Sequence, residues 1–87
     1  MELVIVERLY EIPVTDEQMA ELARRAGPCL ELRGIRRLTS YRSKDRLRAI
    51  CVYEAPDAGT VREAHDQQGV AYAKIWSADL PPGSEHP

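Results

Sequence analysis

Two stretches of this chain are apolar on both faces of the strand each would form. In LVIVERLY, residues 3–10, Leu3, Ile5 and Leu9 fall on one face and Val4 and Val6 on the other. In RLRAICVYEA, residues 46–55, Ala49, Cys51 and Tyr53 share one face while Ile50 and Val52 share the other. A strand with one solvated face alternates apolar and polar residues; one apolar on both faces is central in its sheet and covered from both sides. The fold must therefore supply two covering layers.

The remaining segments supply one. TDEQMAELARRA, residues 15–26, predicts a helix with Thr15 as N-cap and Gln18 at capping-box spacing. Asp16 and Glu17 fall in its first turn, where the helix dipole favours negative charge. Met19, Leu22, Ala23 and Ala26 form an inward stripe. Gly27-Pro28 predicts a break or kink, with CLELRG adding a turn that ends near Gly34. IRRLTSYRS predicts a strand, joined to RLRAICVYEA by the polar turn SKDR as a hairpin. Asp57 caps a second helix that runs to about Gln68 and stops at Gly69. AKIWSADL predicts the last strand, and PPGSEHP a flexible tail.

The order is βαββαβ, which predicts an α+β, ferredoxin-like sandwich. It has a four-stranded antiparallel sheet with two helices on one face. One domain covers residues 1–80 and the tail covers 81–87. The helices leave the second sheet face bare, and the same face of another copy is the simplest cover, so a homodimer is expected. A chain of 87 residues buries a modest fraction of its surface, which favours pairing.

Charge and motifs exclude several partners. Twelve basic and 14 acidic residues give a net charge of −2 with no basic cluster, so no nucleic-acid partner is expected. No run approaches the roughly 18 apolar residues of a membrane span, and no signal-peptide pattern opens the chain. A cytoplasmic protein with no membrane partner is expected, its two cysteines, Cys29 and Cys51, as free thiols. Phosphate-loop, GxSxG and HExxH motifs are absent from the sequence.

His65 is the leading chemical candidate. At about 100° per residue it falls between Ala58 and Val61 on the inward side of the second helix. An imidazole there can ligate a metal, move a proton or simply hydrogen-bond a carbonyl. The other histidine, His86, lies in the tail. Cys51 is mid-strand, where a thiol is commonly a small hydrophobe; Cys29 extends the first helix's inward stripe. Glu7 shares a face with Ile5 and Leu9 and needs a partner, a metal or water there, while Arg8 points the other way. Tyr10, Tyr41, Tyr53 and Glu54 flank strand ends, as packing residues or as the wall of a pocket.

IVER, IRRLTSY, AICVYEAPDAGTVREAHDQQGV and KIW together resemble the small actinobacterial nickel-binding, nickel-responsive protein family. The resemblance spans about residues 3–80. Its most specific parts are Ser40-Tyr41 and the run from Cys51 to Asp57. The chain departs from it at Ala71, in place of a proline, and at Asp66, in place of a basic residue. The resemblance implies a ferredoxin-like dimer that binds nickel.

Two functions follow as expectations. One is transition-metal binding, with nickel as the cofactor, His65 as a ligand and Cys51 and Glu7 as helpers. The other is a cofactor-independent isomerase, cyclase or monooxygenase. His65 would then be the acid or base, and Tyr41, Tyr53 and Arg8 would bind an organic substrate. A deep apolar pocket between sheet and helices favours the second; clustered donors favour the first.

Overall fold

A computed structural model describes residues 1–84; His86 lies outside the described residues. The elements run β1 (Glu2–Leu9), α1 (Asp16–Leu32), β2 (Arg36–Arg42), β3 (Arg48–Ala55), α2 (Ala58–Gln68) and β4 (Lys74–Ala78). The strands form one sheet in the order β2-β3-β1-β4. Every pairing is antiparallel, with Val6 opposite both Cys51 and Ile75. The two doubly apolar strands, β1 and β3, are the central pair.

Local chemistry explains the helix ends. Thr15 accepts from the Gln18 backbone while the Gln18 side chain accepts from the Thr15 backbone. These are two orphan amides satisfied reciprocally. α1 ends as Gly34 takes φ 71° and the Ile35 amide closes back on the Leu30 carbonyl at 2.9 Å. In α2, Asp57 accepts from the Thr60 amide at 2.7 Å. Gly69 adopts the left-handed conformation, φ 65°, so that the Val70 amide reaches the His65 carbonyl at 2.9 Å.

The break or kink expected at Gly27-Pro28 is corrected in one respect: α1 runs unbroken from Asp16 to Leu32 with Pro28 inside it. A proline costs its own hydrogen bond and crowds the preceding residue. Here that residue is Gly27, which has no Cβ to crowd, and both residues belong to a helix held by strong caps.

The core lies between the sheet and the helices. Val4, Val6, Tyr53, Ala55 and Ile75 project from the strands to meet Leu30, Val61 and Ala64. The opposite sheet face carries Ile5, Glu7, Leu9, Tyr41, Ile50, Val52 and Trp76, in register across β2-β3-β1-β4. Leu9, Tyr41, Ile50 and Trp76 are exposed there.

Candidate functional site

Arg8 is the centre of the site. It follows Val4 and Val6 along the buried face of β1 and is only 5% exposed. A guanidinium this deep requires acceptors on several sides. Its Nη1 donates to the Ala71 carbonyl at 2.9 Å, and its Nη2 lies 2.9 Å from His65 Nε2 and 3.5 Å from the Tyr53 hydroxyl.

His65 is 3% exposed, and both its ring nitrogens are engaged. Nδ1 lies 2.8 Å from the Val61 carbonyl, one turn back along α2. A carbonyl only accepts, so Nδ1 carries the proton and Nε2 receives the Arg8 proton. Tyr53 and Tyr72 meet the ring edge-on, at centroid distances of 6.2 and 5.8 Å. Burial holds the imidazole below its ordinary pKa, and the Arg8 charge adds to that against the pull of the Val61 carbonyl. The ring is neutral.

A cavity of about 610 Å³ opens between α1 and the sheet, on the side of Arg8 away from His65. The α1 stripe forms its apolar wall: Met19, Leu22, Ala23, Ala26 and Leu30. Of these only Leu30 is buried, because the helix stands off the strands along this stretch. The rest of the lining includes Arg8, Tyr10, Ser40, Cys51 and Tyr53, with the charged side chains of Glu31, Arg36, Arg37 and Glu54. Arg8 Nε, the Tyr10 hydroxyl and the Ser40 hydroxyl are buried there with no hydrogen-bond partner. Burial raises the Tyr10 and Tyr53 phenols above their ordinary range, with the Arg8 charge opposing it in each.

The residues singled out in the sequence divide between the two sheet faces. Arg8, Tyr53, Cys51 and His65 share the helix side, with Tyr53 touching both Cys51 and His65. Glu7 is on the opposite face, where its carboxylate accepts from the Trp76 indole at 2.7 Å. Tyr41 is also on that face, 57% exposed beside Ile50, so it is corrected as a companion of Arg8 and Tyr53. Glu54 pairs with Arg36 at 3.2 Å. Cys29 accepts from Gln68 at 3.0 Å. Asp66 accepts from Tyr72 at 2.9 Å. Ser40 and Met19 were not singled out as site residues. The hairpin register that sets Ser40 opposite Cys51 was the available signal.

His65, Cys51 and Glu7 do not fit one metal ion within the chain. Glu7 is across the sheet, and the only His65 lone pair is filled by Arg8. A cation at that nitrogen would also sit against a guanidinium charge. Among the described residues no three His, Cys, Asp or Glu side chains cluster as metal donors.

The model of the SCO4226-like nickel responsive protein family matches residues 4–77. The chain belongs to this family. A solved member-like structure, SCO4226 from Streptomyces coelicolor A3(2), superposes with a TM-score of 0.79 at 14% identity, covering 91% of this chain and 98% of that one. At that identity the likeness shows the fold, which for this SCO4226-like chain is the ferredoxin-like α+β sandwich. A search of curated proteins finds no match.

Proposed function

We propose that this SCO4226-like protein binds a small organic molecule in the cavity between α1 and the sheet, and that it works as a cytoplasmic homodimer joined through the bare sheet faces. The cavity carries the proposal. Its size lies within the range of about 300–1,000 Å³ usual for ligand pockets, and it combines an apolar wall with a few buried polar groups. His65 stands behind Arg8 rather than on the lining, and its neutral ring fixes the guanidinium. Its role is to position Arg8, and the proposal is one of binding rather than of a particular reaction. The dimer is supported by the row Leu9, Tyr41, Ile50 and Trp76, exposed on one side of the sheet. No helix of the described residues is long and apolar enough to cross a membrane.

Native mass spectrometry of tag-free protein checks the cavity. We expect a co-purifying organic mass that Leu22→Trp, which fills the cavity from α1, abolishes while the circular dichroism is kept. An empty wild-type protein that also ignores a library of small organic ligands in thermal-shift assays would sink the proposal.

The family match supports a second function, a response to nickel. The geometry implies that nickel acts away from the His65–Cys51–Glu7 set. In a calorimetric titration of tag-free protein, His65→Ala should bind nickel as wild type does. A tenfold loss in that variant would restore His65 as a ligand.

A further inference from the structure

Resting on the cavity as a binding site, we propose that its ligand is an amphipathic monoanion of the carboxylate class. Arg8, Tyr10 and Ser40 receive its head, and the α1 stripe receives its apolar body.

The charge balance around Arg8 carries this. Its partners are a neutral imidazole, a carbonyl and a phenol. No carboxylate of the described residues forms an ion pair with it. A buried cation with neutral acceptors alone is costly, and proteins normally pair such a charge. The Nε that has no partner belongs to this same guanidinium, and the two orphaned hydroxyls belong to residues that line the same cavity. A carboxylate supplies one negative charge and about four acceptor positions, which matches one guanidinium and three unmet donors. A phosphate dianion would overshoot the one charge of Arg8, since the other charged side chains of the lining, Arg36 and Arg37 against Glu31 and Glu54, are two of each sign. A trapped water could satisfy the hydroxyls but brings no charge.

The body of the ligand follows from the opposite wall. Met19, Leu22, Ala26 and Leu30 offer it only apolar surface. The three donors are closed off from solvent, so the head reaches them by parting the side chains above. Met19, unbranched and pliable, is the chain best suited to move.

The test uses two near-isosteric probes on the full tag-free chain at pH 7, 4-phenylbutyrate and its neutral amide, by titration calorimetry. We expect the carboxylate to bind at least tenfold more tightly than the amide. Leu22→Trp should abolish both, and Arg8→Gln should erase the preference. Should Arg8→Gln fail to fold, the double variant Tyr10→Phe with Ser40→Ala is expected to weaken carboxylate binding severalfold. Equal binding of acid and amide overturns the anionic head and leaves the cavity as a binding site. Binding of neither probe overturns both. A preference that persists in folded Arg8→Gln, or binding untouched by Leu22→Trp, assigns the anion to another place and overturns the proposal.

Discussion

At the residue scale, the burial of His65, with the Arg8 charge beside it, makes stability depend on pH. The folded protein holds His65 below its ordinary pKa of about 6.5, so the unfolded chain binds the proton first as pH falls. Stability is therefore full above about pH 6.5 and declines below it. The Asp16, Asp45 and Asp57 carboxyls, held below their ordinary value, act only at more acidic pH. Melting curves from pH 7.5 to 5 should show a fall in Tm that His65→Gln flattens; an equal fall in both proteins would remove His65 as the cause. Much of this site was legible in the chain, because Arg8 has the same parity as Val4 and Val6. A charge in phase with a buried row is a stronger sign than a histidine on a helix. The partner of His65 was not legible, since 57 residues separate it from Arg8 and only the sheet brings them together.

At the element scale, the caps were readable residue by residue, and each has a measurable worth. Asp57→Ala should cost about 1 kcal/mol, read as a lower urea midpoint with an unchanged slope. Pro28→Ala should raise stability by about 1–2 kcal/mol, read as a higher urea midpoint, because it restores an interior hydrogen bond to α1. A loss there would mean that the proline's restraint on the unfolded chain outweighs the missing bond. The continuity of α1 through Pro28 was hidden from sequence, because a proline's local penalty is visible there and the tertiary support that offsets it is not. The stand-off of α1 from the sheet was hidden too. A helical wheel shows which side of Met19 and Leu22 faces inward, and nothing about how far away the facing surface lies.

At the scale of the whole molecule, the doubly apolar β1 and β3 announced both the strand order and the bare face. Covering that face should tie stability to concentration. Light scattering should give twice the chain mass for wild type and one chain mass for Ile50→Glu, which sets like charges against each other at the centre of the face. Its Tm should no longer rise with protein concentration. A wild-type protein that stays single at high concentration would discard the dimer.

Trp76 is the sole indole of the chain, and it lies with Glu7 on the sheet face opposite the cavity. Excited at the red edge, where the four tyrosines scarcely absorb, its fluorescence looks in one direction only. Emission should shift to the blue as two sheets close over it and return on dilution. A ligand entering beside Arg8 acts on the far side of the sheet. One native chromophore thus reports assembly separately from occupancy, without a label.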